Sequence, residues 1–319
     1  MKRYLLAGIA AVLLALAGQT CAADFPVKPI RVIIPFSPGG ITDVMGRALA
    51  VEMSRTLGQQ VIVENRAGAL GAIGTAAVAS APADGYTLLF VPSTFTQMPQ
   101  TNKNLTFDVE RDFEPITIPL VTPIFIFANS RHPAQNLNEL MAYLRANPQT
   151  PYATSGIGSP GHVAFALLSE QLKIDLVHVP YKGGADSSAA TAAGDVPLAV
   201  VAPQPGLGMA EQGRLKVLGV VGNSRSKLLP NVPSVGETGL PIVENKVWLG
   251  FLAPRGTPKD VVARLHKDIS MALQSESVMA RAKASAVDIE TPISSADFAA
   301  QIGREVKVWA DLYRRLKLQ

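Results

Sequence analysis

The chain has 319 residues, 48% hydrophobic and only 17% charged, with a formal charge of +4 and a sequence pI near 9.2. That is long and apolar enough to bury a large core, about two domains' worth, and excludes a disordered chain. The basic balance is partly a property of the first residues and does not mark a nucleic-acid surface, as the next segment shows.

Residues 1–23 carry Lys2 and Arg3, an apolar run over 4–17, and a small-residue stretch ending Cys21-Ala22-Ala23. This is the three-part layout of a secretory signal, and the run is too short to span a bilayer comfortably. Cleavage is expected after Ala23, leaving 27 basic and 25 acidic residues and a charge of +2. No nucleic-acid partner is indicated. Cys21 is the only cysteine. Thr20 before it fits poorly with lipid attachment, so the mature chain is expected to lack disulfides, thiolate metal sites and a cysteine nucleophile. Nothing later approaches a transmembrane length, and the product is expected to be soluble in the periplasm.

The stretch 30–47, IRVIIPFSPGGITDVMGR, opens as an apolar strand and breaks at Pro35, Pro38 and Gly39-Gly40. It restarts at helical spacing, with Ile41, Val44, Met45, Ala48 and Leu49 on one face. In an open α/β sheet, a strand, glycine turn and helix start put the free N–H groups of the first helical turn at a ligand crevice. The loop offers Ser37, Thr42 and Asp43 but no cation before Arg47, so an anion held here is held mainly by backbone.

After the helix closes at Gly58, a strand over 61–64 leads into NRAGALGAIG and a small-residue helix over 72–80. A strand over 86–91 ends at Pro92-Ser93-Thr94, a second hydroxyl-rich loop. The alternation predicts a mainly parallel sheet with right-handed crossovers. Residues 113–129 are apolar and β-branched, broken by Pro115, Pro119 and Pro123 with no helix between, which reads as a crossing into a second lobe.

That lobe repeats the pattern: helix 138–146, strand 152–154, helix 160–172, strand 176–180, helix 185–193, and strands 196–201 and 215–221. A proline-rich segment over 229–241 returns the chain. A strand over 247–253 and helices over 258–274, 277–284 and 295–316 complete the first lobe. The last helix carries Phe298, Ile302, Val306, Trp309, Leu312, Tyr313 and Leu316 at three- and four-residue spacing, and is expected to pack on the first lobe. The prediction is a hinged clamshell of two α/β lobes, 24–122 plus 238–319 and 123–237, with ligand between them.

In TSGIGSPGH (154–162), Ser159 stands at a helix N-cap and Pro160 at the first helical position. Ser155, two glycines and Ser159 make a donor-rich cradle. Gly156, Gly158 and Gly161 formally match a dinucleotide fingerprint, which would make the chain an oxidoreductase. That fingerprint needs an acid about 20 residues on, at the end of the next strand, whereas Asp175 precedes a strand ending Val179-Pro180-Tyr181-Lys182.

Lys182 offers a charge to an acidic ligand or is solvated, and Tyr181 lines the cleft or wedges the lobes. The four histidines, His132, His162, His178 and His266, show no ligand spacing, and no HExxH, P-loop or GxSxG occurs, so no metal or cofactor is expected. A triad of Ser159, His162 and Asp43, giving an exported hydrolase, is the enzymatic alternative.

KPIRVIIPFSPGGITD, LGQQVIVENRAGALGAIG, ADGYTLL, TSGIGSPGH, VPYKG and LPNVPSVGETGLP follow one another over nearly the whole mature chain. In that order they resemble the Bug (TctC-like) periplasmic solute-binding proteins of tripartite tricarboxylate transport systems. The resemblance implies a type II periplasmic-binding-protein clamshell, a monomer without enzymatic activity, closing on a small organic carboxylate. The carboxylate would be held by main-chain N–H groups, hydroxyls and waters. Its recipient would be the large and small subunits of a membrane permease or, alternatively, a sensor protein.

Carried over by position, the contacts would be Phe36, Gly39, Gly40, Thr42, Asp43, Ser93 and Thr94 from the first lobe, and Ser155, Gly158, Ser159, His162, Tyr181 and Gly183 from the second. Two departures stand out. GADSSAATAAGDV replaces a proline and an acid-containing helix after the third loop. Val200-Val201-Ala202-Pro203 lacks the aspartate many members have there, which disfavours an amino-group-bearing ligand and favours a dicarboxylate, an aromatic acid or another amine-free ligand.

Overall fold

A computed structural model describes residues 25–240 and 247–315. The expected signal segment with Cys21, and Leu316, lie outside the described residues. In chain order the first part is β1 (Ile30–Ile34), α1 (Ile41–Leu57), β2 (Val61–Asn65), α2 (Ala72–Ala79), β3 (Thr87–Pro92), a 3-10 turn (Ser93–Gln97), α3 (Met98–Thr101) and β4 (Phe113–Thr122). One residue, Pro123, then separates β4 from β5 (Ile124–Asn129). The second part continues with α4 (Leu137–Ala146), β6 (Pro151–Thr154), α5 (Pro160–Leu172), β7 (Val177–Pro180), α6 (Gly184–Ala193), β8 (Leu198–Val201), α7 (Gly206–Glu211) and β9 (Leu215–Val221). The chain ends with β10 (Val247–Pro254), α8 (Lys259–Ala272), α9 (Glu276–Ala284), β11 (Asp288–Ile289) and α10 (Ser295–Arg315).

Among the described residues there are two sheets, ordered β11-β4-β10-β3-β1-β2 and β7-β6-β8-β5-β9. The expectation of a mainly parallel sheet needs correction. β1 pairs parallel with β2 and β3, and β6 with β7 and β8. β10 runs antiparallel to β3 and β4, β11 to β4, and β5 to both β8 and β9. The reason is local. A parallel neighbour needs a crossover of a dozen residues or more, and among the described residues no such helix lies between β4 and β5 or between β9 and β10.

The continuous apolar run of β1 reflects a sheet covered on both faces. Ile30, Val32 and Ile34 enter a core with Met45, Leu49 and Met53 of α1 and Leu265 and Ile269 of α8, while Ile33 points the other way, to Phe95, Trp248 and Phe298. Each such fully buried side chain contributes about 1.5–3 kcal/mol over leaving it in water. The second sheet is likewise covered on both faces: Ile124, Ile126 and Leu198 pack with Leu140 of α4 and Phe165 of α5, and Phe125, Phe127 and Val201 pack on the opposite face.

α10 differs from expectation in reach. Phe298 and Ile302 do pack on the first sheet, but Trp309, Leu312 and Tyr313 form a cluster with Val163 and Leu167 of α5. Arg315 adds an ion pair with Glu170 at 3.2 Å. A 21-residue helix is about 30 Å long, enough to lie across both lobes. Among the described residues no helix is long and apolar enough to cross a membrane.

Candidate functional site

Because β1, β2 and β3 are parallel, their C-terminal ends emerge on one side of the first sheet. The loops that follow them meet the loops after β6 and β7 around a cavity of about 370 Å³ between the sheets. This is where an open α/β sheet places ligands. The first lobe contributes Pro35, Phe36 and Ser37, then Ala67, Gly68, Leu70 and Gly71, then Thr94, Gln97 and Thr101. The second contributes Ser155, Ile157, Gly158, Ser159, Pro160 and Lys182. Lys182 is the one charged residue in that lining, and no carboxylate joins it.

A slightly larger hollow, about 420 Å³, lies beside α10 and includes Trp248, Arg304 and Glu305. It is the weaker candidate because its buried carboxylate is already satisfied. Glu305 accepts from Trp248 Nε1 at 2.9 Å, Thr96 Oγ1 at 2.9 Å and Gln301 Nε2 at 2.8 Å.

Two polar atoms of the interlobe lining are buried without a partner, Thr94 Oγ1 and Gln97 Nε2. An unsatisfied buried donor is costly, and these belong to residues that line a cavity able to hold an acceptor. Gln97 is 2% exposed, and its Oε1 accepts a long hydrogen bond from Tyr313 Oη at 3.4 Å. The Ser155 side chain is exposed, and Ser159 caps α5 by accepting from the His162 backbone N–H at 3.4 Å. Gly158 lies in the left-handed region (φ +73), and a Cβ there would overlap the Tyr313 hydroxyl. Only glycine fits that approach.

Of the residues expected to touch ligand, Phe36, Thr94, Ser155, Gly158 and Ser159 lie in the lining. The others stand behind or beside it. Asp43 is buried and its oxygens are taken up: it accepts from Gly39 N at 3.0 Å, Arg47 Nε at 3.0 Å and Asn65 Nδ2 at 2.9 Å. Burial works against its ionisation, but the hydrogen bonds from Arg47, Gly39 and Asn65 prevail and hold the carboxyl below the usual range. Its role here is to tie down the loop after β1. Gly39 and Gly40 form that loop's exposed turn, and Thr42 is buried in the first turn of α1.

Ser93 is buried, with its carbonyl accepting from Thr96 Oγ1. Gly183 caps the N-terminus of α6. Tyr181 is not among the residues that line this cavity. It packs against the Phe125 and Phe127 face of the second sheet.

His162 supports the cradle from beneath. Its Nδ1 accepts from Gly158 N at 3.0 Å, and its ring stacks on His178 at 3.7 Å, 9° from parallel. Burial pushes both imidazoles down to about 4, with His162 adding to the effect on His178, so both are neutral at pH 7. His178 Nε2 lies 2.7 Å from Thr154 Oγ1.

The hydrolase constellation is not assembled. Ser159 Oγ meets the backbone N–H of His162 rather than its ring, and Asp43 is engaged by Arg47 and Asn65 in the other lobe. A triad requires the base to reach the nucleophile and the acid to orient the base. The third glycine of the fingerprint has a packing explanation: a Cβ on Gly161 would overlap the Val200 carbonyl of β8. Asp175 is exposed and precedes β7, so no acid stands at that strand's end.

Thr101, Leu70 and Ile157 in the lining and Tyr313 beneath it were not among the expected contacts, whereas Gln97 ends a loop, 93–97, expected to shape the rest of the pocket. The glycines of NRAGALGAIG after β2 were an available signal for Leu70. The shape of that loop was not readable, because Gln97 follows its strand by a 3-10 turn too short to show periodicity.

The solved periplasmic binding protein BugD shares this fold. A family profile described as "Tripartite tricarboxylate transporter family receptor" matches residues 45–318. A UPF0065 protein of Bordetella pertussis is 37% identical over 269 residues, 83% of each chain. An R. palustris protein solved with adipate superposes with a TM-score of 0.79 at 27% identity, over 92% of this chain and 99% of that one. MatC from Rhodopseudomonas palustris, solved with bound malate, gives 0.74 at 29% identity, over 90% and 99%.

Proposed function

The chain belongs to the tripartite tricarboxylate transporter receptor family, and on that premise we propose that it captures a small carboxylate between its lobes and delivers it to a tripartite permease. The ligand would be a di- or tricarboxylate or an aromatic acid. The observation that carries the reading is the interlobe lining: one cation, no carboxylate, and buried polar atoms on Thr94 and Gln97 without a protein partner. Such a lining leaves an ammonium group unpaired and gives a carboxylate hydroxyl, amide and backbone donors. The adipate and malate in the two similar structures are both small carboxylates, which supports the same reading.

The proposed lobes are 24–122 with 238–319 and 123–237, and the protein would be exported by its signal segment, cleaved near Ala23, and act as a monomer. Its work is binding and closure, without covalent chemistry. A closed, liganded form gives permease subunits something to distinguish from the open one. The test is calorimetric titration of the mature protein with a carboxylate panel, followed by uptake of the ligand found in membranes holding the large and small permease subunits. Saturable binding of one carboxylate class and receptor-dependent uptake are expected. Turnover of an ester substrate, abolished by Ser159→Ala, would overturn the reading.

A further inference from the structure

Leu70 at 68% and Ile157 at 66% are the most exposed large apolar side chains among the described residues, and both line the interlobe cavity, one from each lobe. Single exposed aliphatics are ordinary on a protein surface. A pair at the top of the exposure range, converging on one cleft, calls for an occupant.

Leu70 is also held at a conformational disadvantage. Gly68, Ala69, Leu70 and Gly71 have φ of 133, 47, 55 and 95°, four successive residues on the left-handed side. Glycine or asparagine sits there at ease; leucine does not. Since the Leu70 side chain is not buried in a core, packing gives no reason for keeping it. Strain at the rim of a binding cleft is the kind of outlier from which a functional role is inferred.

In the first lobe the apolar and the polar lining residues come from different strands. β2, whose loop carries Leu70, is the outer edge of the first sheet, whereas β3, whose turn carries Thr94 and Gln97, lies nearer the crossing at Pro123. Within the first lobe Leu70 thus stands farther from that crossing than Thr94 and Gln97, and in the second Ile157 stands in the loop after β6 between Ser155 and Ser159.

We propose that Leu70 and Ile157 are an apolar clamp that selects the body of the ligand, favouring a carboxylate with an unsubstituted aliphatic or aromatic skeleton over a hydroxylated acid of the same length and charge. The inference rests on the receptor reading and names its substrate class. Closing two aliphatic side chains over a hydrocarbon body removes apolar surface from water on all three partners. A ligand hydroxyl between those two side chains exchanges water for aliphatic groups that offer it no hydrogen bond.

The test is calorimetric titration with adipate and galactarate, six-carbon dicarboxylates differing only in four hydroxyls, together with terephthalate and citrate. Adipate or terephthalate is expected to bind at least about tenfold tighter than galactarate or citrate. Leu70→Asn and Ile157→Thr are each expected to weaken the hydrocarbon acid about three- to tenfold and leave the hydroxylated acids unchanged. Asparagine suits the left-handed backbone, so Leu70→Asn should melt no lower than the parent protein, separating lost affinity from lost fold.

A hydroxylated acid that binds tighter, or selectivity untouched by both substitutions, overturns the clamp and leaves the receptor standing. Failure of every carboxylate to bind the parent protein overturns both.

Discussion

Gly158→Ala is the most informative single perturbation, because one added methyl meets a fixed contact between the lobes. Two penalties add. An alanine at φ +73 costs about 1–2 kcal/mol relative to glycine. The methyl also overlaps Tyr313 Oη and comes to 3.2 Å from Cζ. Tyr313 is 1% exposed and wedged among Val163, Leu167, Trp309 and Leu312, so it has nowhere to swing, and overpacking of this kind costs about 1–3 kcal/mol. The expected loss is therefore about 2–5 kcal/mol.

Tyr313→Phe separates the two penalties. Alone it gives up one long hydrogen bond to Gln97, at most about 1 kcal/mol. Combined with Gly158→Ala it removes the overlapping atom and leaves the 3.2 Å approach to Cζ, which small shifts relieve. Urea unfolding of the parent, both single variants and the double variant should yield a coupling of about 1–3 kcal/mol. Additivity within about 0.5 kcal/mol would show that the Gly158 cradle does not rest on α10 and would refute the reasoning.

Three further outcomes are expected. Asp43→Asn should destabilise by about 1–3 kcal/mol, because Arg47 and the Gly39 N–H lose a charged acceptor; a melt unchanged from the parent would contradict the role given to Asp43. The neutral His162–His178 pair, held at about 4 in the folded protein against 6.5 as the ordinary value, means that the unfolded chain binds more protons between those values. Stability should then be lost as pH falls from about 6.5 toward 4, and His178→Phe should flatten that limb of a chemical-denaturation series. Glu305 acts in the opposite sense: burial raises its pKa above 4.5 despite hydrogen bonds from Gln301, Trp248 and Thr96, so the folded state keeps a proton that the unfolded chain releases. Its contribution falls as pH rises above 4.5, and Glu305→Gln should remove that decline; parallel pH–stability curves for variant and parent would contradict it.

The sequence was most legible where local signals and tertiary demands agreed. The apolar run at Ile30–Ile34, the glycine turn and the face of Ile41, Met45 and Leu49 marked β1 and α1, because a strand buried on both faces leaves a short continuous apolar run and an amphipathic helix leaves a period. Ser159 and Pro160 fixed the start of α5 for the same reason: capping is written within four residues. Strand direction was not legible. Whether β10 runs with or against β3 depends on how the chain returns from the second lobe, which no local pattern encodes.

The site divided in the same way. Thr94, Ser155, Gly158 and Ser159 stand in loops legible as strand ends and lie in the lining together with Phe36, which only the family resemblance brought forward, while Asp43 and Tyr181 carry ligand-like chemistry yet engage in loop anchoring and core packing. Gln97 and Tyr313 come together from positions 216 residues apart, through the full length of the fold.

The central claim, capture of a small carboxylate between the lobes, is tested most directly by thermal melts of the mature protein against tricarboxylates, C4–C6 dicarboxylates, aromatic acids, acidic amino acids and NAD. A ligand at 100 times its dissociation constant adds about 2.7 kcal/mol to the folded state. The account predicts a shift with one class of amine-free carboxylate and none with NAD, and Gln97→Leu should diminish it. A shift with NAD alone, or none with any carboxylate, would contradict it.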